Sequence, residues 1–287
     1  MPIRQITIIG TGLIGGSLAL ALRKRKFSGT IVGCDRDSAL RRAKLCGAIE
    51  KGYAEPADAV RGSQLVVLAT PVLAIIDLIG RLGPVLPPGT LLTDVGSTKA
   101  AIADQALKVF GKSTGKRFLA GHPMAGKEHS GVEFADPDLF HNATWFLTPL
   151  PNQSINHGLF AEFAGWIDQI GARIAMLPPG DHDRLCAWIS HLPQMISTAL
   201  AAALVEEFGE DAPLLPAGGR ALREMTRISA SPYSMWRDIA ITNKKNLADA
   251  LLRVEQRLAD IRENLASRAL AEEFEKAHAL RKPGVPR

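Results

Sequence analysis

The stretch ITIIGTGLIGG, residues 6–16, determines the fold class of this 287-residue chain. An apolar, β-branched run leads directly into a G-x-G-x-x-G pattern, and a helical pattern follows at once. Gly10 permits a tight turn, Gly12 lets a pyrophosphate approach the backbone, and Gly15 allows helix and strand to pack closely. The pattern predicts a dinucleotide site in which the amide groups of Leu13 and Ile14 face the phosphates. A purely structural glycine turn is the alternative.

The end of the second predicted strand bears on the choice of dinucleotide. Asp35 stands 20 residues after Gly15, where a ribose 2′-hydroxyl is expected. A carboxylate accepts a hydrogen bond from NAD and repels the 2′-phosphate of NADP. Arg36 follows at once and either stacks on the adenine or pairs with a 2′-phosphate. NAD is therefore the predicted cofactor, and NADP is the alternative.

Short apolar runs alternate with helical patterns over the first 180 residues. Continuous runs such as LVVLA are typical of strands that are covered on both faces. The sequence thus predicts an α/β fold whose N-terminal part is a Rossmann-type, doubly wound parallel sheet. The predicted strands are Gln5–Ile9, Thr30–Cys34, Leu65–Ala69, Thr90–Thr93, Arg117–Ala120, Thr144–Leu147 and Arg173–Met176.

Beyond Pro178 the pattern is helical only. The predicted helical stretches are Asp181–Glu207, Ala217–Ile228 and Ser234–Leu280. We therefore expect a dinucleotide-binding domain of residues 1–178 and an all-α domain of residues 179–287. An amphipathic stripe runs along the last stretch, through Ile239, Ile241, Leu247, Leu251, Val254, Leu258, Ile261 and Leu265. This stripe needs a partner, and we expect it to pack on neighbouring helices and to form a homodimer interface.

Composition and charge exclude several classes of protein. With 46% hydrophobic and 22% charged residues, the chain is expected to bury a sizeable core. The net charge of +5 is not accompanied by the pattern of a nucleic-acid-binding module. The apolar runs fall short of the roughly 20 residues that cross a bilayer, and no signal peptide is evident. We expect a cytoplasmic protein with no nucleic-acid or membrane partner.

The three cysteines stand far apart in the sequence, without a C-x-x-C pair. Such spacing favours neither a disulfide framework nor a metal site. We therefore expect three buried, reduced thiols and no metal ion.

Polar side chains follow three of the predicted strands. Thr70 and Pro71 follow one strand and are assigned to the cofactor, whereas Ser97 and His122 follow the next two. Because the carboxyl ends of parallel strands meet at one edge, these residues converge on one crevice. Removal of hydride from a carbinol requires departure of the hydroxyl proton, so His122 is the predicted base. Ser97 either holds the same hydroxyl or caps the following helix.

Two residues of the helical part are ambiguous when taken alone. His191 is flanked by apolar residues and is typical of a core histidine. Arg227 is either solvated or bound to a carboxylate, for which a guanidinium group is well suited.

The motifs GTGLIGGS, DVGSTK, GHPMAGKEHSG, WISHLP and TRISASPYSMWRDI occur in the order seen in prephenate and arogenate dehydrogenases. The chain resembles this family from residue 3 to about residue 265. The resemblance implies a Rossmann domain joined to a helical dimerisation domain, with the active site in the cleft between them. It further implies oxidation of a ring carbinol by NAD⁺ with loss of CO₂, in tyrosine biosynthesis.

The resemblance also implies roles for individual residues. His122 would accept a hydrogen bond from the ring hydroxyl, and Ser97 would assist it. Glu128 and His191 would line the substrate pocket, and Arg227 would bind a substrate carboxylate.

One position departs from several prephenate-using relatives, which have a second histidine where this chain has Gln194. Gln194 is assigned to the substrate pocket, and the choice between prephenate and arogenate stays open. A β-hydroxyacid or imine reductase is a more remote alternative and would depend on Lys244 or Lys245. A dinucleotide-sensing protein without catalytic activity is the last of the alternative functions.

Overall fold

The computed structural model describes residues 2–127, 129–210 and 213–280. Within them, one sheet has the strand order β3-β2-β1-β4-β5-β6-β7-β8. The strands are β1 (Gln5–Ile9), β2 (Thr30–Cys34), β3 (Lys51–Tyr53), β4 (Leu65–Leu68), β5 (Leu91–Asp94), β6 (Phe118–Pro123), β7 (Thr144–Thr148) and β8 (Arg173–Met176). The strand order reverses between β1 and β4, as in a doubly wound sheet. The predicted Rossmann-type half is thus confirmed.

Helices cover the sheet and make up the described part of the second half. The first set is α1 (Leu13–Lys24), α2 (Asp37–Leu45), α3 (Pro56–Ala59), α4 (Val72–Leu82), α5 (Ala100–Phe110), α6 (Thr114–Arg117) and α7 (Gly158–Gln169). The second set is α8 (Pro179–Cys186), α9 (Leu192–Phe208), α10 (Leu214–Ala217), α11 (Gly219–Thr226), α12 (Tyr233–Thr242), α13 (Lys244–Glu263) and α14 (Arg268–Ala279).

The sheet separates two apolar cores. Ile6 and Ile8 of β1 belong to the core on one face, and Ile9 belongs to the core on the other. This alternation explains why Ile8 and Ile9 are both apolar although they point to opposite faces, because both faces of a central parallel strand are covered.

Two features of the sheet differ from the prediction. The three-residue strand β3 is absent from the prediction, because KGY carries no apolar run. The prediction of an entirely parallel sheet is wrong at β7, which runs antiparallel to β6 and pairs Phe146 with His122. A parallel partner needs a long crossover, usually a helix. The described part of the connection between β6 and β7 contains only a 3₁₀ turn, Val132–Phe134.

The predicted helix Ser234–Leu280 is divided in the structure into α12, α13 and α14, with breaks at Asn243 and Asn264. The apolar stripe is divided as well. Ile239 and Leu247 are buried within the chain, whereas Ile241, Leu258 and Leu265 are more than half exposed. Part of the stripe thus faces outward.

The segment Pro179–Phe208 is helical over 30 residues and consists of α8, a π-helical turn at 187–191, and α9. Pro193 lacks an N–H group for the regular helical bond, which accounts for the wider turn just before it. By length and composition this segment could cross a membrane. The expectation concerning continuous apolar runs is unaffected, because Asp183, Arg184 and His191 interrupt the apolar sequence of this helix. Core helices of soluble proteins pass the same test.

We propose that the domain boundary lies after Pro178. The last strand ends at Met176, and α8 begins at Pro179. The first turns of α8 nevertheless pack against α5 and β7 of the preceding half.

Candidate active site

The glycine turn between β1 and α1 is tightly packed at Gly10 and Gly15 and leaves open space at Gly12. Gly10 has a φ of +96°, and a Cβ atom there would collide with the carbonyl oxygen of Ala69. A Cβ atom on Gly15 would collide with the carbonyl oxygen of Gly10. A Cβ atom on Gly12 would meet nothing within 4 Å. The backbone at Gly12 is thus accessible to a pyrophosphate.

The first turn of α1 suits an anion. Gly12 is the N-cap and supplies no side chain to the helix amides, and the first turn contains no acidic residue. The amide groups of Leu13 and Ile14 therefore lie at an uncapped, electropositive helix end. This is the arrangement that binds dinucleotide phosphates.

Asp35 is held beside the glycine turn. One carboxylate oxygen accepts a hydrogen bond from the Thr11 amide at 2.8 Å, and the other accepts one from the Arg36 amide at 2.7 Å. Each oxygen retains capacity for a ribose hydroxyl, while the negative charge opposes a 2′-phosphate. The side chain of Arg36 is exposed.

Thr70 follows β4 at the same edge of the sheet. Its hydroxyl oxygen is buried and has no hydrogen-bond partner within the described residues. Its methyl carbon lies 2.9 Å from the place a Cβ atom on Gly10 would take. A buried hydroxyl without a partner is costly, and a bound ligand group would satisfy it. Together with the open turn, this residue fits a dinucleotide; the neighbouring Pro71 is exposed.

His122 lies in β6, whereas the sequence places it beyond the strand end, and it belongs to a chain of three side chains. Its Nδ1 atom is 2.9 Å from Nε2 of His182, and Nδ1 of His182 is 2.9 Å from Oδ1 of Asp183. Because a carboxylate only accepts, Nδ1 of His182 carries the proton and its Nε2 atom accepts. His122 then donates through Nδ1. Its Nε2 atom is left with a lone pair and is able to act as a base.

The imidazole rings of His122 and His182 are both neutral near pH 7. Burial lowers the pKa of His122 well below 6.5, and the neighbouring His182 and Lys99 lower it further. Burial also lowers the pKa of His182, against the opposing effect of its hydrogen bond to Asp183. A neutral imidazole is the form that accepts a proton or a hydrogen bond.

Asp183 also caps a helix of the other half of the chain. Its Oδ1 atom accepts from the Lys99 amide at 2.7 Å, and its Oδ2 atom accepts from the Ala100 amide at 2.9 Å, at the start of α5. The alternative role of Ser97 as the helix cap is therefore wrong, because Lys99 is the N-cap and Asp183 supplies the acceptor. Ser97 lies half-buried in the loop before α5.

A second carboxylate of the helical half also caps a helix of the preceding half. Asp238, in α12, accepts a hydrogen bond from the Leu73 amide in the first turn of α4 at 3.1 Å. Two helices that flank the crevice are therefore capped from the other half of the chain.

A buried ion pair supports the strand ends beside His122. Lys99 donates through Nζ to Asp94, and also to the carbonyl oxygen of Gly121 at 2.6 Å. Both side chains are fully buried. Burial raises the pKa of Asp94 and lowers the pKa of Lys99. The pair joins the loop before α5 to the residue that precedes His122.

His191 ends the π-helical turn and is 1% exposed. Asn243 donates through Nδ2 to the carbonyl oxygen of Asp183 at 2.8 Å and lies 3.1 Å from Nδ1 of His191. Nδ1 of His191 therefore accepts, and Nε2 carries the proton. That buried Nε2 atom and Nε1 of Trp236 both lack a hydrogen-bond partner in the described residues. The two rings are 6.0 Å apart and nearly perpendicular.

The remaining predicted residues have different surroundings. Gln194 is buried, and its Nε2 atom donates to the carbonyl oxygen of Ile228 at 2.9 Å. This bond attaches the 3₁₀ turn Arg227–Ala230 to α9, so Gln194 supports the turn that begins with the exposed Arg227. Glu128 lies outside the described residues.

Several residues of the site are absent from the sequence prediction, namely His182, Asp183, Asn243, Asp94 and Lys99. The DVGSTK motif contains Asp94 and Lys99, but nothing in it shows that they pair. His182 and Asp183 stand 60 residues after the strand they support. A paired His-Asp at the start of a helix was the available signal.

Protonation of the buried histidines should destabilise the protein in acid. Because the pKa of His191 is lowered to about 4 from 6.5, the unfolded chain binds more protons below pH 6.5. Stability therefore falls as the pH drops from 6.5 toward 4, by about 3 kcal/mol for this residue at about 1.4 kcal/mol per pKa unit. Urea unfolding at pH 7.5, 5.5 and 4.5 measures this, and His191→Asn should flatten the dependence. Equal stability at pH 7.5 and 4.5 would contradict it.

An open glycine turn, an acidic residue at the ribose position and a neutral histidine share one edge of the sheet. Fold and site therefore define a nicotinamide-dinucleotide-dependent dehydrogenase. Residues 18–176 match the family model "Prephenate dehydrogenase, nucleotide-binding domain", and residues 178–278 match "Prephenate dehydrogenase, dimerization domain". The chain belongs to the prephenate dehydrogenase family and is an NAD-dependent dehydrogenase.

Individual relatives agree with this result. The chain is 30% identical to a prephenate dehydrogenase of Lactococcus lactis, over 97% of this chain and 77% of that protein. It is similar to the crystal structure of Aquifex aeolicus prephenate dehydrogenase with hydroxyphenyl propionate and NAD⁺, at a TM-score of 0.86, 28% identity and 98% coverage of both chains. It is also similar to Synechocystis arogenate dehydrogenase, at a TM-score of 0.77, 28% identity and coverage of 96% and 98%.

The matched dimerization domain includes the whole of the apolar helix Pro179–Phe208. Only 22% of the most apolar part of this helix is buried within the chain, and Ile189 and Phe208 are more than half exposed. An uncovered apolar face of this kind fits a surface that pairs with a second copy.

Proposed function

We propose that this protein is a prephenate dehydrogenase that converts prephenate to 4-hydroxyphenylpyruvate in tyrosine biosynthesis. The observation that carries the proposal is the neutral His122, oriented by His182 and Asp183 at the edge of the sheet that also presents the glycine turn. We further propose that it works in the cytoplasm as a homodimer, as its dimerization domain supports.

The cofactor would be held by the glycine turn of Gly10, Gly12 and Gly15 and by the first amides of α1. Asp35 would accept from the adenosine ribose, and the Thr70 hydroxyl would find its missing partner there. When bound, NAD⁺ supplies the acceptor for hydride.

The residues of the chain would orient the ring and stabilise charge as it develops. Nε2 of His122 accepts a hydrogen bond from the ring hydroxyl, and the hydroxyl of Ser97 assists in holding it. This bond stabilises the positive charge that forms at the carbinol carbon as hydride leaves. The bond to the ring carboxylate then breaks, its electron pair enters the ring, and CO₂ departs. Aromatisation makes the step effectively irreversible.

Arogenate is the second candidate substrate, because Gln194 replaces the histidine of several prephenate-using relatives. The Synechocystis arogenate dehydrogenase is as identical to this chain as the Aquifex prephenate dehydrogenase, at 28%. The substrate is identified by incubating purified protein with NAD⁺ and either prephenate or arogenate. Formation of the reduced cofactor is followed by its absorbance. We expect turnover with prephenate. Turnover with arogenate alone would show that arogenate, and not prephenate, is the substrate. Inactivity with both compounds would refute the proposed function.

The remote alternatives fit the site less well. Lys244 and Lys245, on which a β-hydroxyacid or imine reductase would depend, are exposed at the start of α13. A dinucleotide sensor would have no use for an imidazole oriented through two further side chains.

Asp35→Ala should relax the choice of dinucleotide. Removal of the carboxylate removes both the ribose acceptor and the repulsion of a 2′-phosphate, so kcat/KM should fall about tenfold with NAD⁺ and rise with NADP⁺. Steady-state kinetics with both cofactors measure the ratio. Asp37→Ala, a nearby exposed carboxylate in α2, is the matched control. An unchanged ratio would refute the assignment of Asp35.

Arg227→Ala should mainly weaken substrate binding. A charged hydrogen bond to a carboxylate contributes about 1.5–3 kcal/mol, which corresponds to a KM increase of roughly 10- to 100-fold. Arg223→Ala, in the preceding helix α11, serves as the control. If KM for the organic substrate stays within twofold of the wild-type value, Arg227 is not the carboxylate anchor.

A further inference from the structure

Three potential metal ligands lie together at His122. Nδ1 of His122, Nε2 of His182 and Sγ of Cys186 are within 4.8 Å of one another. The two nitrogens are 2.9 Å apart, and the sulfur is 3.3 Å from His182 Nε2 and 4.0 Å from His122 Nδ1. All three side chains are buried. The proposed reaction has no use for Cys186.

These separations are close to those of a tetrahedral zinc site. With Zn–N bonds of about 2.0–2.1 Å and Zn–S bonds of about 2.3 Å, tetrahedral ligand atoms stand about 3.3–3.6 Å apart. Each observed separation is within about 0.5 Å of that range, which small side-chain rotations cover. Two imidazoles and a thiolate suit Zn²⁺, whereas Mg²⁺ and Ca²⁺ prefer oxygen ligands.

The surroundings of the cluster resemble those of a metal site. Asp183 accepts a hydrogen bond from Nδ1 of His182, and a carboxylate in this position fixes a histidine for metal ligation. The charge of Lys99 opposes a cation, but it is paired with Asp94, and Asp183 adds a second negative charge.

We propose that His122, His182 and Cys186 form an inhibitory Zn²⁺ site, completed by a water molecule. Binding releases the thiol proton of Cys186 and forms a zinc–sulfur bond. As zinc takes Nδ1 of His122, the proton on that atom moves to Nε2. Nε2 then carries a hydrogen and no longer accepts one from a substrate hydroxyl. The loss of turnover rests on the proposed function, whereas the binding of zinc does not.

Metal binding is tested first without any substrate. Wild-type protein is incubated with Zn²⁺, freed of excess metal by gel filtration and assayed for zinc content, and we expect about one ion per chain. With Co²⁺ in place of Zn²⁺, a thiolate-to-cobalt charge-transfer band should appear. Cys186→Ser should lose the band and bind zinc more than about tenfold more weakly, since even outer-shell changes cost 10- to 100-fold. Cys46→Ser, at an exposed cysteine, is the matched control and should behave as wild type.

Activity provides the second measurement. Zinc should stop turnover of the wild type and of Cys46→Ser, a chelator should restore it, and Cys186→Ser should stay active at that zinc concentration. If Cys186→Ser binds zinc as tightly as wild type and gives the same cobalt spectrum, the ion lies elsewhere and the proposal is overturned. If the protein turns over neither prephenate nor arogenate, zinc content and the cobalt band still decide the site.

Discussion

His122→Asn is expected to lower kcat by about 10³-fold while NAD⁺ binding stays nearly intact. A positioned acid or base contributes roughly 10²- to 10⁴-fold, and asparagine offers no basic nitrogen to the substrate hydroxyl. The amide of asparagine can still donate to His182, so the surrounding chain of hydrogen bonds has a replacement donor. Stopped-flow or steady-state kinetics measure kcat, and calorimetry measures the affinity for NAD⁺.

An exposed histidine provides the control for this variant. His129, which stacks on Phe134 in the same segment, should tolerate the same replacement with kcat within about twofold of wild type. If His122→Asn loses cofactor binding together with turnover, the residue is structural. If His122→Asn keeps the wild-type kcat, His122 is not the base of the proposed reaction.

Lys99→Met is expected to destabilise the protein by about 3–5 kcal/mol, the usual cost of leaving one charge of a buried pair unpaired. Both Lys99 and Asp94 are fully buried, so neither charge can be solvated in place. Methionine has a similar length but leaves Asp94 and the carbonyl oxygen of Gly121 without the ammonium group. Chemical denaturation in urea at pH 7.5 measures the free energy of unfolding.

The double variant Asp94→Asn with Lys99→Met separates charge from packing. Asparagine still offers an oxygen to the Gly96 amide, and the unpaired charge is gone, so much of the lost stability should return. Equal destabilisation of the single and double variants would show that packing, and not the unpaired carboxylate, sets the cost. Arg61→Met, which removes an exposed partner of Asp58, should change stability by less than about 1 kcal/mol.

Local patterns were sufficient for the glycine turn and its flanking elements. β1 spans Gln5–Ile9 and α1 begins at Leu13, as predicted. Each feature depends on residues that are neighbours in sequence: an apolar run, glycines at fixed spacing, and a helical period. Such information is present in any short window of the chain.

The direction of β7 and the widened helix at His191 could not be obtained in this way. Strand direction depends on the path of the connection, which composition does not report. The π-helical turn depends on how Pro193 is accommodated within a longer helix, and the pattern WISHLP is compatible with a regular helix interrupted at the proline.

Only those residues of the candidate site that belong to a recognised sequence motif could be predicted. The sequence proposes His122 as the base, but its orientation by His182 and Asp183 depends on a contact across 60 residues. Cys46 also differs from the expectation of three buried thiols, because it is exposed in the structure. Pairing across such distances is a property of the folded chain, and a single sequence does not contain it.

The two capping carboxylates join the halves of the molecule more tightly than their small number suggests. Asp183 holds α5 and, through His182, also sets the tautomer of the imidazole. Because His182 and Asp183 both belong to the helical half and His122 belongs to the sheet, separation of the halves would break the bond between the two imidazoles. Nδ1 of His122 would then lose the acceptor that fixes the tautomer of the catalytic ring.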